Sequence, residues 1–323
     1  MEHLLEVNHL KKYFDVKGKG VLHAVDDVSF YIDEGETVGL VGESGCGKST
    51  VGNVLIGLHK ATAGEVKIQG KEVTYRSRKN SSALAKEMQI IFQDPYSSLN
   101  PKKTVYSILS EPFQIQEKLR GKELRKRVLK ICDMCRISED LLDKFPNELD
   151  GGKRQTIGIA RALALFPKII ICDEPVSALD VSIQAQIINL LMDLQKDYGL
   201  TYLFISHDLS AVKHISNRII VMYLGRFMET APVDELFERP THPYTQALLS
   251  AVPTIHGGKD LERIILEGDV PSPINPPPGC RFCKRCWLAD ERCEREDPQM
   301  VDLGNQHRVA CHRVSEQREP PQA

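Results

Sequence analysis

An α/β fold is predicted by two observations. Up to about Leu224, short apolar runs alternate with segments of helical period, and one of those runs leads directly into a glycine-rich turn that opens a helix. The 323 residues correspond to about two domains at roughly 150 residues each, enough to bury a core without disulfides. With 41% hydrophobic and 27% charged residues, the composition excludes collagen, coiled coil and wholesale disorder. The 42 Lys and Arg against 44 Asp and Glu give no global reason to bind nucleic acid or an anionic membrane. No stretch approaches about 18 uncharged apolar residues. Met1 to Leu10 carries Glu2 and Glu6 where a secretory leader would be basic and then apolar, so the chain is expected in the cytosol.

Taken in order, Glu36 to Val41 reads as a strand. Gly42, Glu43, Ser44, Gly45, Cys46, Gly47, Lys48, Ser49 and Thr50 then fit G-x-x-x-x-G-K-[ST], and Val51, Val54, Leu55 and Leu58 give the helix that follows. In such a loop, glycines let backbone N–H groups face a polyphosphate, Lys48 neutralises its β and γ oxygens, and the Ser49 hydroxyl can ligate Mg²⁺. Cys46 reads as a small filler. Lys168 to Cys172 is a second strand, and Ile169 to Glu174 is an apolar run ending in two carboxylates: Asp173 to hold magnesium through water, Glu174 to act as general base toward the attacking water.

Ser182 to Asp193 places Ile183, Ile187, Leu190, Leu191 and Leu194 on one helical face, and Tyr202 to Ser206 is a third strand. Arg218 to Thr230, broken by Gly225, reads as a hairpin. A domain boundary is expected near residue 231, after which Pro232, Pro240 and Pro243 precede a helix over Thr245 to Ala251. Five more prolines between Pro271 and Pro278 extend the chain into a Cys-rich segment, and Glu316 to Ala323 is a polar tail expected to be disordered. Cys132 and Cys135 lie on a helical stretch, Leu124 to Arg136, where core packing outweighs thioredoxin-like chemistry.

Five of the nine cysteines crowd between Cys280 and Cys311, and clustering of this kind reads as a metal site. The triplet Cys280-x₂-Cys283-x₂-Cys286 is similar to the start of a ferredoxin-type run, although Cys293 follows at a different spacing. Four thiolates would equally satisfy tetrahedral Zn²⁺.

Over residues 1 to about 250 the chain resembles the ATPase subunits of ABC transporters. The resemblance implies a P-loop ATPase with a RecA-like core, an antiparallel β subdomain and a helical signature subdomain, here followed by a small Cys-rich C-terminal lobe. The division expected is 1–231 for the nucleotide-binding domain and 232–323 for the C-terminal domain. It implies that Tyr13 stacks on adenine, with Phe14 the alternative, and that Gln93 reaches Mg²⁺ and senses the membrane subunits. Ser177 to Asp180 would meet a second ATPase, and His207 would contact the γ-phosphate and with Lys48 stabilise transferred charge. The family signature Leu-Ser-Gly-Gly-Gln is altered to Leu149-Asp150-Gly151-Gly152-Lys153. In the family this element binds the γ-phosphate held by the partner's P-loop. A carboxylate about 4 Å from a phosphate charge costs on the order of 4 kcal/mol at an effective dielectric of about 20, part of it offset by Lys153. The expectation is asymmetry: a working site on this chain's own P-loop, and slow hydrolysis where Asp150 serves.

Gln93 to Pro101, Thr241 to Leu249 and Val270 to Pro277 resemble the oligopeptide and dipeptide import branch. That implies an ATP-hydrolysing motor at the cytoplasmic face of the membrane. Its partners would be a second related ATPase (a heterodimer before a homodimer), two transmembrane permeases and an extracytoplasmic solute-binding protein, with no nucleic acid. The same branch assigns Cys280, Cys286, Cys293 and Cys311 to a [4Fe–4S] cluster, with Cys283 a spare or substitute ligand, Zn²⁺ the alternative, and His307 and His312 second-shell or on the surface. Two rival readings remain: a soluble ABC-type ATPase acting on nucleic acid or ribosomes, and a weakly hydrolysing regulatory subunit. Against the first stand the single P-loop and the short interval between Gln93 and Leu149; against the second, Glu174 and His207.

Overall fold

Apolar strands of two kinds build two sheets in the computed structural model, which describes residues 3–74, 78–252 and 263–316. In chain order the strands are β1 (Leu5–Val16), β2 (Gly20–Ile32), β3 (Thr37–Val41), β4 (Ala63–Ile68), β5 (Lys71–Glu72) and β6 (Met88–Ile91). They continue with β7 (Ile169–Asp173), β8 (Thr201–Ser206), β9 (Arg218–Tyr223), β10 (Arg226–Pro232), β11 (Met300–Gly304) and β12 (His307–Ala310). Strands β2, β1, β4 and β5 form an antiparallel sheet in that order. The other sheet runs β11-β12-β10-β9-β3-β8-β7-β6, parallel from β9 to β6.

Parallel strands covered on both faces must be apolar throughout, which is why β3, β7, β8 and β9 read as unbroken hydrophobic runs and are buried at every residue. Their side chains still alternate between two cores. Ile170, Cys172, Tyr202 and Phe204 face one core, shared with the helices Val105–Gln116, Gly121–Met134, Gly151–Leu163 and Val181–Tyr198. Ile169, Ile171, Leu203 and Ile205 face the other, shared with the antiparallel sheet and the helix Lys48–Leu55.

The hairpin around Gly225 is β9 and β10. The helix expected from Ser182 runs Val181–Tyr198, with Asp180 as N-cap and Gly199, at φ 66°, as its left-handed stop. The helix expected over Thr245 to Ala251 is Pro243–Ser250, because proline takes the first helical turn instead of preceding it. Cys132 and Cys135 are buried at the end of the helix Gly121–Met134, where burial pushes their thiols up to about 11 and about 12. They are core residues.

The boundary expected near 231 falls inside β10, and β12 pairs with β10 through Glu229 and Val309. The C-terminal segment therefore extends the main sheet instead of hanging from it. The proline-rich stretch is laid along β2, where the His23 N–H donates to the Pro273 carbonyl (3.0 Å) and the Asn275 N–H to the Val21 carbonyl (2.9 Å). The tail over 317–323 lies outside the described residues. Among the described residues, no helix is long and apolar enough to cross a membrane.

Candidate functional site: a phosphate-binding cleft

The loop after β3 has to fold tightly against β9 and β2, and this dictates its glycines. A Cβ on Gly42 (φ 152°) would lie 2.1 Å from the Met222 carbonyl oxygen, and one on Gly47 (φ 111°) 2.0 Å from that of Ala24. Gly47 is the N-cap of the helix Lys48–Leu55 and offers no side-chain cap, so the first-turn N–H groups are left to a ligand. Lys48 is buried, and its ammonium donates to the carbonyls of Gly42 (2.8 Å) and Glu43 (3.1 Å).

The loop floors a cleft of about 520 Å³ whose walls include Ser44 to Thr50, Gln93, Glu174 and His207. Glu174, at the tip of β7, is held at φ 46°, a left-handed conformation unusual for a side-chain-bearing residue, and its N–H donates to the Ile205 carbonyl at 2.9 Å. Its Oε2 receives the Gln93 amide (3.0 Å) and lies 3.2 Å from Nδ1 of His207. Residues distant in sequence thus meet at one carboxylate oxygen. One step back on the same strand, Asp173 accepts from the Ser49 hydroxyl at 2.7 Å, and burial raises its proton affinity. A buried carboxylate beside a P-loop hydroxyl is a donor set that suits Mg²⁺.

Tyr13 does not reach this cleft; Phe14 does. The Tyr13 hydroxyl donates to Asp26 and its ring stacks on His23 at 4.1 Å, with its pKa pushed up to about 12, first by burial. A register shift between Lys12 and Tyr13 in the β1–β2 ladder sets which neighbour faces inward, and the sequence does not display it. Phe14 rather than Tyr13 thus lines the cleft, with Leu22, His23, Ala24 and Pro273 beside it.

The signature residues Asp150, Gly151 and Gly152 are not part of the cleft; Asp150 and Gly152 line a separate surface hollow. Asp150 is the N-cap of the helix Gly151–Leu163: it accepts from the Lys153 N–H at 2.8 Å and pairs with the Lys153 ammonium at 3.0 Å. The Lys153 backbone N–H first, and then its side chain, hold this carboxyl below the usual range.

Behind the loop, the Glu43 N–H donates to the Tyr244 hydroxyl (2.9 Å), and the Glu43 carboxylate is held by Arg285 through Nη1, at 3.1 Å from Oε1 and 2.9 Å from Oε2. Nothing in the sequence announces these contacts across the chain. Cys46 is buried and its thiol is raised, first by burial, as suits a filler.

All nine cysteines are free. Burial first raises the thiols of Cys280, Cys286, Cys293 and Cys311, Cys280 to about 12; Cys293, Cys283 and Cys286 add to the rise at Cys280, and Cys311 and Cys283 to that at Cys286. Among the described residues, no three His, Cys, Asp or Glu side chains stand where they could hold a single metal ion. His307 and His312 are buried rather than on the surface: His307 bonds Glu229 (2.6 Å), and His312 lies 2.9 Å from the Glu296 carbonyl oxygen.

A β-sheet core with a P-loop, a strand-tip carboxylate and a converging glutamine and histidine defines a nucleotide-hydrolysing cassette. A family model described as ABC transporter matches residues 25–177, and one described as the C-terminal region of oligopeptide/dipeptide transporters matches 228–293. The chain is 48% identical over 323 residues to the oligopeptide transport ATP-binding protein AppF of Bacillus subtilis, covering 97% of this chain and 98% of that protein. It is 46% identical over 317 residues to the dipeptide transport ATP-binding protein DppF of Haemophilus influenzae, covering 96% and 97%. Among solved structures, the dimeric post-hydrolysis state of the cassette MJ0796 bound to ADP and Pi superposes with TM-score 0.65 at 30% identity, covering 71% of this chain and 98% of that one. CbiO1 of Clostridium perfringens gives TM-score 0.65 at 31% identity, covering 74% and 92%. The chain belongs to the ABC transporter family, among its oligopeptide and dipeptide transport ATP-binding proteins.

Proposed function

We propose that the chain is the ATP-hydrolysing motor subunit of a membrane importer for di- and oligopeptides. The observation that carries the hydrolytic role is the meeting of Gln93 and His207 on the Glu174 carboxylate, directly above an open P-loop. The peptide assignment rests on full-length similarity to peptide-transport ATP-binding proteins.

In this reading the triphosphate lies along the N–H groups of Ser44 to Thr50 with Lys48 turned from its carbonyl partners onto the β and γ oxygens, and adenine rests on Phe14. Ser49 and Gln93, with Asp173 through water, would hold Mg²⁺, which when bound neutralises phosphate charge. Glu174 takes the proton of the attacking water and His207 steadies the charge moving on the γ-phosphate. Asp150, Gly151 and Gly152 serve the second ATPase's nucleotide across a head-to-tail dimer, and Ser177 to Asp180 meets that partner. The similarity to a dimeric cassette supports this arrangement. Closure is passed through the segment after Gln93 to two permeases, with a solute-binding protein delivering the cargo, which places the chain peripherally on the cytoplasmic face. In this reading the working division remains 1–231 for nucleotide chemistry and 232–323 for the C-terminal lobe.

The free thiols of Cys280, Cys286, Cys293 and Cys311 fit a [4Fe–4S] cluster in donor chemistry. Cys280, Cys286, Cys293 and Cys311 would hold it, Cys283 standing by, as a staple of the lobe. Absorption near 400 nm with iron and acid-labile sulfide, against zinc content, checks that assignment.

For the motor, the test is ATP-dependent peptide uptake by the complex reconstituted with its permeases, partner ATPase and solute-binding protein. Uptake that stops with Glu174→Gln while MgATP stays bound is the expected result. Full turnover with that change would place the base elsewhere, and ATP hydrolysis without any peptide uptake would remove the cargo assignment.

A further inference from the structure

The turn between Cys280 and Cys286 makes three separate contacts with the nucleotide-binding half of the molecule. Arg281 reaches Asp26 on β2, beneath the wall formed by His23 and Ala24. Phe282, buried, packs between Tyr223 and Tyr244, with ring centroids 5.3 Å from each. Arg285 grips the Glu43 carboxylate with one nitrogen on both oxygens, at 3.1 and 2.9 Å, and reaches the Tyr223 hydroxyl at 3.4 Å. The Arg285 side chain is only 9% exposed, so this pair is not a loose surface contact screened by water.

Glu43 fills a variable position of the G-x-x-x-x-G-K-[ST] loop and carries a full negative charge. It sits in the loop that wraps a polyanion, two residues from the phosphate-facing Gly45, and an uncompensated carboxylate there would repel the ligand. We propose that Arg285 is a positioning residue for nucleotide binding: it neutralises Glu43 and ties the first turn of the phosphate loop to the Cys-rich lobe. The turn between Cys280 and Cys286 thereby sets affinity for the triphosphate without lining the cleft. This inference rests on the reading of the cleft as an ATP site.

Equilibrium binding of MgATP to the purified full chain tests it. Arg285→Ala is expected to weaken binding about tenfold, and Glu43→Gln added to it to recover binding to within about threefold of the unaltered protein, since the repelling charge is then gone. A merely structural arginine would show no such recovery. Unaltered binding by Arg285→Ala, or a double variant as weak as the single, overturns the proposal. If Arg285→Ala does not fold, Arg285→Lys carries the test: it keeps the charge and is expected to bind within about threefold, and a tenfold loss there overturns the proposal. Absence of MgATP binding by the unaltered chain overturns the reading of the cleft itself, and this inference with it.

Discussion

Two helices of this chain, Lys48–Leu55 and Gly151–Leu163, have first turns built in opposite ways. The helix Lys48–Leu55 is capped by Gly47, which contributes no side chain, so its N–H groups and partial positive charge face the cleft. The helix Gly151–Leu163 is capped by Asp150, whose carboxylate already takes the Lys153 N–H and pairs with its ammonium. The first terminus is open to an anion; the second carries its own. The same backbone geometry serves as a receptor or as a closed cap depending on one side chain.

The comparison breaks most severely at Glu174, on the open side. Glu174→Gln is expected to lower kcat by about 10²- to 10⁴-fold while KM for ATP changes little, as read by steady-state ATPase kinetics. The open terminus also depends on what stands behind it. His242 caps the helix whose Tyr244 hydroxyl receives the Glu43 N–H, and burial pushes His242 down to about 4 from its ordinary 6.5. Between those values the unfolded chain binds more protons than the folded one, so stability is fully present above about 6.5 and falls as pH drops toward 4, by about 3 kcal/mol for this group. Thermal unfolding from pH 7 to pH 4 should show that decline, and His242→Gln should flatten it.

A smaller effect is expected at the adenine wall. Phe14→Ala should raise KM for ATP by about tenfold through lost stacking, measured with the assembled ATPase. The smallest change sharpens the comparison from its closed side. Asp150→Ser keeps a capping oxygen but removes the charge, and turnover per dimer should rise about twofold as a second site begins to work. Unchanged turnover would show that the Lys153 pairing already cancels the carboxylate's effect.

Much of this was legible because it is written in local pattern. Strand ends at Val41 and Asp173, the loop from Gly42 to Thr50, and the helix of Ile183 to Leu194 all follow from period and glycine spacing. Glu174 is legible as a carboxylate ending an apolar strand and Gln93 and His207 from the family resemblance, but their convergence on one oxygen requires the fold. Illegible features were those decided by register or by long-range pairing. Tyr13 and Phe14 are adjacent aromatics, and the shifted ladder of β1 and β2 separates the one that lines the cleft from the one that does not. Arg285 lies among cysteines and charged residues, where its sequence neighbourhood suggests solvent exposure, and its partner Glu43 is 242 positions away. His307 and His312 look like surface histidines near a cysteine site, but β12 pairs with β10 and buries His307 against Glu229.

That last pairing has a bearing on how the chain is made. Because β12 supplies the neighbour of β10, the edge of the main sheet stays uncovered until residue 310 has emerged from the ribosome. The nucleotide half is thus synthesised in full well before β10 gains its neighbour, and any assembly with partner subunits that precedes the end of translation meets that strand bare.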